Sequence, residues 1–138
     1  MTTREWLNRG FELSKHLTIL KAQRDSIANV ISRYDSDGAQ SDHKNSAESS
    51  AIRWSEAQRE IERVEAQLNN IDLETLEVLR CLTNVNEYTV LYQRYVKRLS
   101  WKDIQKATDY SEPHVFKLHA DGLKVCETYM QSIKKIWV

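Results

Sequence analysis

The 138-residue chain predicts an all-α fold, a long N-terminal helical hairpin or coiled coil followed by a helix-turn-helix domain. Three observations predict it. A single proline and three glycines leave helix almost uninterrupted. Apolar residues over positions 6–34 and 47–71 recur at alternating spacings of four and three, the seam along which helices pair. Finally, two serine-started amphipathic stretches lie a three-residue turn apart between positions 100 and 126.

The first helix is expected from about residue 3 to 34, with Trp6, Gly10, Leu13, Leu17, Leu20, Arg24, Ile27, Ile31 and Tyr34 on its seam. The run DSDGAQSDHKNSAESS that follows is polar and has no periodic apolar residue, so residues 35–46 read as a flexible connection. A second helix restarts near Ser46 and continues the spacing through Ala47, Ala51, Trp54, Gln58, Ile61, Glu65 and Leu68. Ala57, Val64 and Ile71 widen its stripe beyond what one partner helix covers. An intramolecular antiparallel pair is one reading of residues 1–71. Association of two chains into a four-helix arrangement is the other, and the wide stripe favours it, with a dimer as the simplest homo-oligomer.

The second domain is placed at 72–138. Asp72 has the chemistry of an N-cap for a linking helix carrying Leu73, Leu76, Leu79 and Leu82, with a break at 84–87. A helix from Tyr88 then turns Leu91, Tyr95 and Leu99 inward. Ser100 can accept from the unpaired N–H groups of the next helix, and Asp103 favours the same end. That helix, 100–107, carries Trp101, Ile104 and Ala107 as its apolar residues. Thr108, Asp109 and Tyr110 have no place on its stripe. Ser111 is a second N-cap, with Glu112 and then Pro113 in the first turn, where a missing N–H costs little. The last helix therefore runs from 111 to about 126, and Val115, Leu118, Gly122 or Leu123 and Cys126 form its inward stripe.

That layout is how a protein puts one helix into a DNA groove. The candidate base-facing residues are Glu112, His114, Phe116 and Lys117. Lysine can read guanine, glutamate can accept from cytosine, and a phenylalanine ring can touch a thymine methyl. Candidate phosphate contacts are Ser100, Lys102, Lys106, Ser111, His119 and Lys124. The plainer reading of the lysines is a solvated face, and of His114 and His119 surface or half-buried helix residues; Trp101 reads as core.

Charge is distributed unevenly. Residues 1–87 hold 11 Lys/Arg against 15 Asp/Glu, net −4, and residues 88–138 hold 9 against 5, net +4. The basic half is the one with the helix-turn-helix, so salt-sensitive DNA binding of moderate strength is expected, stronger when two copies act together. Cys81 and Cys126 lack metal-ligand spacing and read as reduced core residues. No metal, cofactor or small-molecule substrate is expected. Nucleophile-elbow, phosphate-loop and zinc-protease motifs are absent, and the carboxylates follow helical surface spacings, so the chain does not read as an enzyme. No apolar run approaches a bilayer span and the N-terminus lacks a signal-peptide core, so no membrane contact is expected.

The run RYVKRLSWKDIQKATDYSEPHVFKLHADGL resembles the C-terminal part of small phage- and prophage-encoded regulators of the ArpU type and the related DUF1492 family, and its helix-turn-helix is similar to that of sigma-70 region 4. Arg94, Tyr95, Ser100, Trp101, Ile104, Tyr110, Ser111, Val115, His119 and Leu123 carry the resemblance, which covers residues 88–125 closely and the rest loosely. It implies duplex DNA binding, phage transcription regulation and a place in the bacterial host cytoplasm. Sigma-type helices usually offer Arg, Gln or Glu in the first turn; Glu112 and Pro113 stand there in this chain. That departure leaves room for a protein-interaction adaptor binding RNA polymerase or a phage packaging protein, or for a small-terminase-like packaging-site binder.

Overall fold

In the computed structural model the described residues are 1–36 and 41–137, with side chains described over 1–33 and 48–133. All secondary structure among them is helical: α1 (Thr3–Leu7), α2 (Arg9–Ser36), α3 (Ser41–Leu79), α4 (Val85–Tyr95), α5 (Trp101–Thr108) and α6 (Glu112–Trp137). The all-α fold class therefore holds. The chain divides into two units, residues 13–68 and residues 1–12 together with 69–138.

The unit of residues 13–68 pairs α2 with α3 within one chain. Arg24 donates to Gln58 Oε1 at 2.8 Å, and Lys21 and Glu65 lie 3.4 Å apart, an antiparallel register. On α3 the predicted stripe is inward, with Ile61, Val64 and Leu68 buried. On α2 the seam residues Leu13, Leu17, Leu20, Ile27 and Ile31 are only half-buried, because one facing helix covers a narrow strip. Ala51, placed on the seam, is exposed. Of the connection expected at 35–46, residues 37–40 lie outside the described residues, and the backbone on both sides is helix.

The second unit is built on α6, which packs against α1, α4 and α5. Its core joins Leu7, Val78, Leu79, Leu82, Val90, Leu91, Tyr95, Ile104, Val115, Leu118 and Cys126. Residues 1–12, which the sequence groups with the hairpin, contribute Leu7 to this core and pack Trp6 and Phe11 against it. The expected single helix 3–34 is interrupted at Asn8. Thr2 and Glu5 form a capping box that starts α1, and Asn8 caps its end. α4 begins at Val85 rather than Tyr88 because Asn84 accepts from the N–H groups of Asn86 and Glu87.

Asp72 does not start a linking helix. α3 runs straight through it to Leu79, and its carboxylate instead meets Arg98 at 2.7 and 3.4 Å. Arg98 has φ 57°, in the left-handed region, where the chain leaves α4, and this two-pronged pair holds that turn.

α4 and α6 approach closely at Gly122. A Cβ there would stand 2.8 Å from Leu91 Cδ1 and 3.5 Å from Glu87 Cβ. The absent side chain lets a fully buried Leu91 fill the contact.

Candidate nucleic-acid interface

α5 and α6 are started by the two serines. Ser100 Oγ accepts from Asp103 N at 3.2 Å, and Ser111 Oγ accepts from His114 N at 3.3 Å. Between them lie three residues, and Asp109 takes the left-handed conformation at φ 61° that ends α5. Aspartate tolerates that backbone better than most residues. Ile104 and Val115, both fully buried, hold the two helices on the common core. Ala107, expected inward, is exposed, because Ile104 and Trp101 already fill that side of an eight-residue helix.

All four candidate base-facing residues, Glu112, His114, Phe116 and Lys117, are exposed. At 3.6 residues per turn, Phe116, Pro113, Lys117, Ala120 and Lys124 face away from the Val115–Cys126 stripe, whereas Glu112 lies beside that stripe, about 40° from Cys126, and is exposed at the helix start. His114 stands apart, rotated about 160° around the helix from Phe116, and leans on the Tyr110 ring at 4.6 Å. The outward face therefore gathers Phe116 and Lys117, with Glu112 and His114 on its opposite flanks. Phe116 is 40% exposed and packs against Trp101 at 5.0 Å. Lys102 and Lys106 are exposed on the outer side of α5, and Lys124 on that of α6.

His119 is the clear correction. Only 6% exposed, it shares a 2.6 Å hydrogen bond with the Tyr95 hydroxyl and lies edge-on to Trp101 at 4.9 Å. It cannot reach a phosphate. Burial, reinforced by the charges of Arg4 and Arg94, lowers its pKa to about 4, so the ring is neutral at ordinary pH. The spacing carried a signal for this: residue 119 lies four after Val115 and seven before Cys126, on the apolar stripe itself.

In the sequence Arg94 stands out only through the resemblance; in the structure its position explains the local order. Its guanidinium sits between the Phe11 ring, 4.7 Å away, and the Trp101 ring, 4.4 Å away, and donates to Leu99 O at 2.9 Å. The row Arg94, Trp101, Phe116 thus fixes the exposed phenylalanine from behind. Tyr110, expected off the core, packs against it and donates to Asn86 Oδ1 at 2.8 Å, tying the turn back to α4.

Over residues 100–126 four lysines, at 102, 106, 117 and 124, face four carboxylates, at 103, 109, 112 and 121. The surface is therefore locally balanced, with its lysines on the outer faces of both helices. Comparison of the chain with protein-family models, curated proteins and solved structures finds no match. Among the described residues no cluster of three or more His, Cys, Asp or Glu side chains is placed to hold a metal ion. None of the described helices is long and apolar enough to cross a membrane.

Proposed function

We propose that the chain is a duplex-DNA-binding regulator of the phage type, in which α5 and α6 act as a helix-turn-helix and α6 enters the major groove from Ser111. The observation that supports this best is the exposed outward face of Phe116 and Lys117, flanked by Glu112 and His114, on a helix capped three residues after its neighbour. Lys102 and Lys106 on α5 and Lys124 on α6 take phosphates, and the two serine-capped N-termini add partial positive charge there. His119 has no part in the contact.

Self-association through α2 and α3 belongs to the same reading. The half-buried seam of α2 leaves leucine and isoleucine surface that a second copy would cover, pairing two DNA-binding ends. Light scattering of the full chain is expected to give a dimer mass.

The test is selection from a random duplex pool at two salt concentrations, followed by anisotropy on the enriched sequence. Lys106→Glu combined with Lys117→Glu is expected to weaken binding at least tenfold and to flatten the salt dependence. Unchanged affinity in that variant would remove α5 and α6 from the contact.

A second reading, a protein adaptor docking RNA polymerase or a phage packaging protein, is favoured by one observation: the four-against-four charge balance of residues 100–126. Absence of any enriched sequence, with partner capture that survives nuclease treatment, would select it. A small-terminase-like subunit would share the DNA contacts but scatter as a ring well above dimer mass.

A further inference from the structure

The chain has two cysteines, and the fold brings them together. Cys81 lies in the turn after α3 and Cys126 on the inward side of α6; both are free thiols, and their sulfurs are 3.9 Å apart. Cys126 is fully buried, while Cys81 is half-buried and lines an open groove with Val125, Thr128, Tyr129 and Ser132. Neither takes part in the contacts proposed above.

We propose that Cys81 and Cys126 are a dithiol that closes to an intramolecular disulfide by exchange with a small-molecule disulfide admitted along this groove. A disulfide bond is about 2.05 Å long, so the sulfurs must approach by roughly 1.9 Å. Rotation of two short side chains supplies most of that, and a small adjustment of the turn that Cys81 N→Val78 O and Leu82 N→Leu79 O hydrogen bonds hold supplies the rest. With no third cysteine in the chain, no competing intramolecular partner exists.

The exchange has a defined order. The Cys81 thiolate attacks one sulfur of the small disulfide, whose S–S bond breaks, leaving a mixed disulfide and one small thiolate. Cys126 then attacks the Cys81 sulfur and expels the second small thiolate. The two thiol protons pass to the departing thiolates; the protein loses two electrons and the small disulfide is reduced to two thiols. Burial raises the Cys81 thiol above its ordinary value and pushes the Cys126 thiol up to about 12, with the neighbouring Cys81 sulfur adding to the latter. Thiolate is scarce at neutral pH, so the exchange is slow there and speeds up in alkali. The groove's mixed lining, a valine and a tyrosine ring beside two hydroxyls, suits a small polar disulfide such as oxidised glutathione.

The full-length folded chain is incubated with oxidised glutathione, quenched in acid and weighed intact. The expected product is a monomer lighter by two hydrogens, with peptide mapping linking Cys81 to Cys126. Cys126→Ser, and the smaller-volume control Cys126→Ala, are expected to stop at a single glutathione adduct on Cys81. Cys81→Ser is expected to stay unmodified while folded. The oxidised protein is also expected to unfold at a higher temperature, because the bond closes the loop 81–126 in the unfolded chain. A stable glutathione adduct on the unsubstituted chain, a dimer joined through Cys81, or linkage that forms only in denaturant would each overturn the proposal.

Discussion

Tyr95 and His119 share one hydrogen bond inside the core of the second unit, and the burial of His119, with the charges of Arg4 and Arg94, makes that core sensitive to acid. The folded imidazole has its pKa lowered to about 4, against the ordinary 6.5 that it regains on unfolding. Between those values the unfolded chain binds a proton that the folded chain refuses. Stability is therefore fully present above about pH 6.5, falls as pH drops toward 4, and levels off below, a loss on the order of 3 kcal/mol. Urea midpoints measured across that range check it, and His119→Gln is expected to remove this slope while costing about 1–3 kcal/mol at neutral pH. A second residue-scale dependence concerns Arg98 and Asp72, which are both largely covered. Arg98→Ala strands the carboxylate and is expected to cost about 1–3 kcal/mol, whereas the double variant Arg98→Ala with Asp72→Asn recovers part of it; a double-mutant cycle reads the coupling. Local sequence could not show this pair. An aspartate before an apolar run has the chemistry of a cap, and only the chain's return 26 residues later supplies the arginine that makes Asp72 an interior helix residue. His119 was different, since its spacing placed it on the buried stripe and only its polarity argued for the surface.

Among the elements, α5 and α6 show how much local chemistry decides. Ser100 and Ser111 mark their helix starts in the sequence and do so in the structure, because an N-cap needs only a hydroxyl at the right position. Ser100→Ala is expected to destabilise the second unit by about 1 kcal/mol, measured by thermal unfolding. The meeting of α4 with α6 obeys a different rule. Gly122→Ala adds a methyl against Leu91, but alanine gains about 1 kcal/mol of helix preference over glycine, so the net change is expected to stay within about 1 kcal/mol. Gly122→Val gains less of that offset and must displace a fully buried leucine, an expected loss of about 2–3 kcal/mol. The sequence left Gly122 and Leu123 as alternatives on the stripe, because periodicity locates a face and cannot tell which residue tolerates the closest backbone. The length of α6 also escaped it. The apolar stripe was followed only to Cys126, while the helix continues to Trp137.

For the whole molecule, the helical class and the apolar seams of α2 and α3 were legible because both depend on repeating patterns along the chain, whereas the pairing of these helices within one chain was one of two readings the pattern left open. The grouping of elements was not, because it depends on contacts between the first twelve residues and a region beginning at position 69. Trp6 and Gly10 looked like the start of the seam; the turn at Asn8 interrupts it, and Trp6, with Leu7 and Phe11, joins another core. At the candidate interface the caps were legible, and helical spacing puts Phe116 and Lys117 on the outward face, with Glu112 and His114 on its flanks and His119 buried. The hairpin is thus an insertion between two pieces of one discontinuous unit. A fragment cloned from position 72 onward would carry every proposed DNA contact and yet lack Leu7 from its interior and Phe11 from behind Arg94. Such a fragment is expected to be poorly folded, and adding a peptide of residues 1–12 in trans to restore its circular dichroism. Conversely, the hairpin is bounded by a single exit and a single return, which makes it the segment where evolution or an engineer can change length, provided both helices of the insertion are trimmed together.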